Sequence, residues 1–464
     1  MYNREPQSVS MIENWKPITY ITDVNSMYIF EMYGKKYVFF GDQHDAKSAG
    51  GCEQKHKFKC DDYEYDFKTQ KYYGSECTSI GVLLHNWFTY NNDHHIPTDF
   101  YLEINYTKTN DRSELGNFQK TITKLQNNPG TLSRLNNMDK ETKQAMIEGF
   151  EEVSWMGLTR SLMRDCFTRE KSNCPYYPYV HAHYADVRAV DYEYATVEAD
   201  PFILFDLETH IDEYVPKNID EVISIKNQLL IILSLIVHEY KLLLHMMIGY
   251  DDFDKYMKHF YKLAAGLGKG LGEMYIRKFR SMERIAVIRN GKRMHRTAAE
   301  LQRLEKAEPH IAELLKVFIE ENAEMYVGEL MVALGELSEA YDDLDDMEGK
   351  NVTKGVVLRT FNELKGVFKN FVYRLVPMSA LSMDAYLLAR MFLQKDSQEI
   401  VVYAGAKHIE HYANFFQYFM GVEPVVSVVT EDNNRCMAVP VLAEYLPANM
   451  YRTYGVKKNY NIKY

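Results

Sequence analysis

Apolar and polar positions along the chain change period twice. Near the start, Tyr28-Ile-Phe-Glu-Met and Tyr37-Val-Phe-Phe flank Tyr33-Gly34-Lys35-Lys36, a pattern that predicts a hairpin of two β-strands. The second run ends sharply at Gly41-Asp42-Gln43-His44-Asp45, and Ala46–Tyr73 is polar enough to predict a loop. Ile80, Leu83, Leu84 and Trp87 recur at helical spacing within Ser79–Tyr90. Asp99–Asn105 then predicts a buried strand, completing a β–loop–α–β unit of a parallel sheet. Lys108–Glu152 and Ser154–Arg169 predict helices, and Tyr179–Asp191 a further strand. From Asp206 to Tyr373 the period is helical throughout, with long amphipathic runs at Ile219–Ile248 and Ala298–Leu344. Gly266–Gly272 predicts an interhelical joint. Its spacing is not that of a nucleotide-binding loop. Sheet character returns with a helix at Ser382–Gln394, a strand at Glu399–Ala404, a helix at Ile409–Met420 and a strand at Val425–Val429.

This order predicts an α/β protein: a split, mostly parallel sheet with flanking helices and a large all-α insertion. Residues 18–205 and 376–448 would form the discontinuous core and 206–375 the insertion. The last segment, 449–464, would be a basic, Tyr-rich tail.

Composition narrows the reading without redirecting it. The 464 residues are 46% apolar and 26% charged, an ordinary globular balance that excludes global disorder. With 54 Lys+Arg against 65 Asp+Glu the net charge is −11, which argues against nucleic acid as a whole-surface partner. Met1–Pro17 holds no apolar signal-peptide core, and the most apolar stretch, Leu229–Val237, is too short by itself to span a bilayer. It is expected to be a buried helix, and the chain is expected to be soluble, intracellular and without a transmembrane segment. The cysteines at 52, 60, 77, 166, 174 and 436 are too sparse for a disulfide scaffold, so free thiols in a reducing compartment are expected.

Two predicted strands end alike, in Gly41-Asp-Gln-His44 and Gly405-Ala-Lys-His408. Each Gly permits a sharp exit from the sheet, and each His is delivered just past a strand's carboxyl end, where open α/β sheets bind ligands. Glu103 ends a third strand, and Asp186 with Arg188 a fourth. Parallel neighbours would bring His44, Glu103, Arg188 and His408 to one edge. Two imidazoles and a carboxylate suit a divalent metal at His44, Glu103 and His408, which would activate water or polarise a carbonyl. Arg188 would hold a carboxylate or developing negative charge. Asp42 or Asp186 would orient an imidazole. In the metal-free alternative His44 is the general base and Glu103 sets its tautomer. A structural role for each residue stays open beside these.

Gly-Asp-Gln-His44 with Gly51-Cys52, Asp99-Phe-Tyr-Leu-Glu103, His183-Tyr-Ala-Asp-Val-Arg188 and Tyr403-Ala-Gly-Ala-Lys-His408 resemble the signature of uncharacterised proteins of nucleocytoplasmic large DNA viruses. Those are similar in turn to the erythromycin-esterase/ChaN/TraB–Tiki group. The resemblance implies a split α/β core with two Gly-x-x-His elements, a Glu and an Arg around one site. It carries over to His44, Glu103, Arg188 and His408, and to Arg390 in the helix Asp384–Met391. It implies a hydrolase-like protein of the peptidase or esterase class, with zinc, manganese or cobalt left open. The alternative is an inactive virion or host-interaction protein that keeps the fold, in the virion or the infected cell. Lys407 beside His408 departs from the group, and a cation there would oppose a metal unless it points away.

Other constellations are weaker. Cys52, His56, Cys60 and Cys77 offer zinc-ligand chemistry without the usual close Cys pair. His94-His95 suit a solvated loop, and His181 and His183 share one strand face and suit packing. His238 and His245 share one helical face and suit a satisfied core. Arg277–Arg296 is a basic run expected to be a solvated or interface helix, with an anionic partner as the alternative. Glu336–Glu348 is its acidic counterpart. The helical insertion is itself a candidate surface for a protein partner.

Overall fold

The computed structural model describes residues 19–22, 24–42, 63–66, 71–74, 77–105, 177–186, 200–249, 253–266, 291–339, 352–430 and 436–439, with scattered residues between 273 and 289 and at 350. The chain divides into two compact units, residues 1–185 with 396–464, and residues 186–395.

In the first unit the elements are β1 (Tyr20–Thr22), β2 (Ser26–Met32), β3 (Lys35–Asp42), β4 (Tyr63–Asp66), β5 (Lys71–Gly74), β6 (Cys77–Ser79), α1 (Ile80–Asp93), β7 (Thr98–Asn105) and β8 (Val180–Asp186). β2 and β3 form the predicted hairpin. Its two-residue turn, Tyr33-Gly34, has both residues at positive φ, the twist that suits a tight hairpin. The segment 46–73, expected to be loop, contributes the antiparallel β4–β5 pair.

The second unit holds α2 (Asp200–Glu213), α3 (Ile219–Ile248), α4 (Phe253–Ala265), β9 (Val287–Arg289), β10 (Lys292–Met294), α5 (Arg296–Ala307), α6 (Pro309–Glu339) and α7 (Lys354–Leu393). It is therefore not all-α. The basic run expected as a helix carries an antiparallel hairpin, β9–β10, with Gly291 at positive φ in its turn. The run expected to be continuous over Ala298–Leu344 breaks at Glu308-Pro309, because Pro at a first helical position starts a new helix rather than extending the old one. The boundary expected at 375 also moves. Residues 376–393 are the second half of the 40-residue α7, which runs on through Pro377, so they stay with the helices before them.

The chain returns to the first unit with β11 (Glu399–Gly405), α8 (Ala406–Asn414), β12 (Val426–Val429) and β13 (Cys436–Ala438). A π-helical turn, Phe415–Phe419, continues α8. The main sheet has six strands in the order β12-β2-β3-β11-β7-β8. β11 runs parallel to both β3 and β7, while β2 and β12 are antiparallel additions at one side. β1 lies between β6 and β13 in a separate three-stranded sheet.

Both faces of the main sheet are covered, which is why its central strands read as unbroken apolar runs. On one face Val38, Phe40, Phe100, Leu102, Val401 and Tyr403 pack against Leu83, Leu84, Trp87 and Phe88 of α1. On the other, Phe30, Tyr37 and Phe39 meet Phe416, and Phe39 also meets Tyr412, with ring centroids 4.8–5.9 Å apart. Gly41 is the one glycine that this packing demands. A Cβ there would lie 3.0 Å from the Ala406 Cα and 2.1 Å from the Ser26 Oγ.

Cys77 and Cys436 are both disulfide-bonded, against the expectation of free thiols. A disulfide sulfur is no thiolate, so Cys77 leaves the expected zinc set. Cys52, His56 and Cys60 lie outside the described residues. Disulfides persist under oxidising conditions, so these two cysteines do not support a reducing compartment.

α3 is the one described helix long and apolar enough to cross a membrane. Its Val222, Leu229, Leu233, Ile236, Tyr240, Leu243 and Met247 are buried within the second unit, at the helical spacing of a core-facing stripe.

Candidate functional site

The carboxyl edge of the parallel strands is built by β7, β11 and the first turn of α8. Gly405 ends β11 and caps α8, placing His408 in the first helical turn. Register sets Tyr403 beside Leu102, so the next residue of β7, Glu103, falls alongside the strand-to-helix turn. One Glu103 oxygen, Oε2, accepts the Gly405 N–H at 2.6 Å, and the other, Oε1, lies 3.2 Å from His408 Nε2. A carboxylate is thus seated at a helix N-terminus, where peptide dipoles favour negative charge. Both side chains are nearly buried, at 8% and 7% exposure, and the His408 ring stacks on Tyr412 at a 26° tilt.

The structure brings together Glu103 and His408 of the expected set. Asp42 reaches the same edge on the opposite face. It follows Val38 and Phe40 on the side of α1, and the Tyr403 hydroxyl donates to it at 3.5 Å. It therefore does not orient His408. His44 and Arg188 lie outside the described residues. Asp186 is the last residue of β8, and its side chain is likewise outside them. Arg390 sits on α7 in the other unit, where it donates to the Tyr386 hydroxyl at 2.9 Å. Lys407 is 86% exposed and bonded to Glu410 at 2.8 Å, so its charge is directed away from His408.

The amino edge carries polar groups of a different kind. Glu399 Oε2 accepts from Trp87 Nε1 at 2.7 Å and from Asn91 Nδ2 at 2.6 Å, while Oε1 pairs with Lys36 at 3.2 Å. This carboxylate ties β11 to α1 and β3. Asp99 receives Ser397 Oγ on one oxygen and His183 Nε2 on the other, with His181 Nδ1 3.8 Å away. His183 also stacks on Tyr101, with centroids 4.7 Å apart. The sequence reading took His181 and His183 as packing residues and missed their carboxylate. The signal was present, since Asp99 stands directly before the buried Phe-Tyr-Leu run of its strand. Asp99 and Glu103 are four residues apart along β7, about 13 Å, so the two clusters are separate.

Among the described residues no group of three or more His, Cys, Asp and Glu is gathered closely enough to hold a metal. The Glu103–His408 separation of 3.2 Å fits a direct hydrogen bond. It also fits two donors on one ion at about 2.1 Å each. Comparison with family models, with curated proteins and with solved structures gives no match.

Proposed function

We propose that the carboxyl edge of the sheet is a hydrolytic site centred on Glu103 and His408. The observation that carries this reading is the Glu103 carboxylate held between the Gly405 N–H and the His408 imidazole at a strand-to-helix turn. In the metal-free form, Glu103 accepts the Nε2–H and fixes the tautomer, which leaves Nδ1 of His408 to take a proton from water. In the metal form, His408 and Glu103 would be two of the ligands, and His44, two residues beyond β3 in the sequence, would be the third. A bound zinc, manganese or cobalt ion would lower the pKa of its water or polarise a carbonyl. Arg188 would meet the negative charge that develops on the substrate oxygen.

The test is turnover of ester and peptide reporters by the full chain, with and without each of these ions. Glu103→Gln and His408→Ala should each lower activity by about 10²–10⁴-fold. Activity equal to wild type in both variants would remove the site.

A second reading keeps the fold without turnover, as a viral protein that binds partners. The near-complete burial of both side chains favours it, because a buried, mutually satisfied pair also serves as a clamp between β7 and α8. In that case no reporter is cleaved, and a partner is retained when both residues are substituted. The basic run 277–296 and the helical unit remain its proposed surfaces for an anionic or protein partner. Part of that positive charge is already met: Arg293 pairs with Asp254 at 2.9 Å and with Glu283 at 3.3 Å.

A further inference from the structure

α3 and α4 form an antiparallel helical hairpin, as two pairs of facing rings show. His245 stacks on Tyr256 at one level, and His238 faces His259 at another. At the second level the two Nε2 atoms are 3.3 Å apart. We propose that His238 and His259 form a zinc site that clamps α3 to α4, distinct from the Glu103–His408 site.

The geometry is specific. Two imidazole nitrogens 3.3 Å apart, each about 2.0–2.1 Å from one ion, subtend about 104–111° at the metal. That range brackets the tetrahedral angle zinc prefers. Cis ligands of a square-planar ion would stand closer, at about 2.8–3.0 Å for similar bond lengths. Nε2 of each ring is the atom presented to the other.

Two protein ligands would leave two tetrahedral positions for water, one protein ligand fewer than a catalytic zinc site carries. His238 also lines a groove of about 400 Å³ with Leu230, Ile231, Ser234, Leu235 and Leu263, so the ion would sit at the margin of an apolar surface. His259 is exposed and His238 only partly buried, so neither imidazole is needed to fill the core.

The experiment is titration of the full chain with zinc by calorimetry, and with cobalt by visible absorption. Both are run on wild type, His238→Ala, His259→Ala and Glu103→Gln. Wild type and Glu103→Gln should show the same 1:1 event at this site and the absorption bands of tetrahedral cobalt. Each His variant should bind at least about tenfold more weakly and lose those bands, with unchanged circular dichroism. Undiminished zinc affinity and cobalt spectrum in both His variants would overturn the proposal. So would a loss produced only by Glu103→Gln, which would assign the metal to the other site. His259→Gln serves as a second variant, on an exposed position, should His238→Ala fold poorly.

Discussion

The carboxylate of Glu399 sets a clear stability test, because its partners are buried and each depends on it. Replacing it by Ala leaves Trp87 Nε1–H and one Asn91 N–H without their acceptor in a site closed to water. Each orphaned buried donor costs about 1–3 kcal/mol, so the two together cost about 2–6 kcal/mol. The Lys36 pair adds little, since that ammonium retains access to solvent. Glu399→Gln is milder, at about 1–2 kcal/mol. One oxygen still accepts both bonds, but they lose charge assistance, and the new amide group faces Lys36. Unfolding in a urea titration is followed by circular dichroism, which stays usable when Trp87 is replaced. The decisive measurement repeats Glu399→Ala in a Trp87→Phe background, where one orphan no longer exists and the cost should fall by about 1–3 kcal/mol. A cost below about 1 kcal/mol in the wild-type background, or no coupling to Trp87, would refute this account of the amino edge.

Other sites give simpler expectations. Gly41→Ala should cost about 1–3 kcal/mol in the same titration, because its Cβ meets the Ala406 backbone, and Ser26→Ala should recover only part of that. Tyr33→Asn should stabilise the first unit by about 0.5–1 kcal/mol, since Tyr33 is 70% exposed, sits at φ 53° and would become the first half of an Asn-Gly turn. Tyr261 is pushed up to about 12 by burial and by its hydrogen bond to Glu283. The folded state therefore keeps this proton after the unfolded chain has lost it, and the contribution, full below about pH 10, is lost as pH rises to about 12. Alkaline unfolding of Tyr261→Phe, followed by circular dichroism, should lack that component.

What the sequence showed follows from which interactions are local. The β2–β3 hairpin, α1, β7 and β11 were legible because both faces of the sheet are buried and turn residues mark their ends. The β9–β10 hairpin was missed although Asn290-Gly291, a strong hairpin signal, lies between its strands, because the charge of the surrounding run dominated the reading. α7 was split at its middle because the two halves differ in polarity, while their continuity through Pro377 depends on packing against α5 and α6. Of the proposed site, the pairing of Glu103 with His408 could be anticipated from strand ends. The face on which Asp42 falls could not, because it depends on the β3–β11 register. The pairing of His238 with His259 depends on how α3 and α4 cross, and no motif in either helix announces it.

The two edges of the sheet differ in a way that bears on function. At the amino edge, Glu399 and Asp99 each receive side-chain partners on both carboxylate oxygens, so these carboxylates are committed to holding strands and helices together. At the carboxyl edge, Glu103 takes the Gly405 backbone N–H on one oxygen and faces the His408 imidazole with the other. A backbone donor fixes the carboxylate without using a side chain, and it orients that carboxylate toward the imidazole. Removing a purely structural clamp should change stability in proportion to its hydrogen bonds, as at Glu399. Removing a working pair should change activity far more than stability. Glu103→Gln preserves an acceptor for Gly405 and so spares the helix cap, yet it alters the charge that His408 faces. A variant that unfolds at the wild-type urea concentration but has lost turnover would place the chemistry at this edge. Equal losses of stability at Glu103 and Glu399, with no turnover to lose, would make both edges structural.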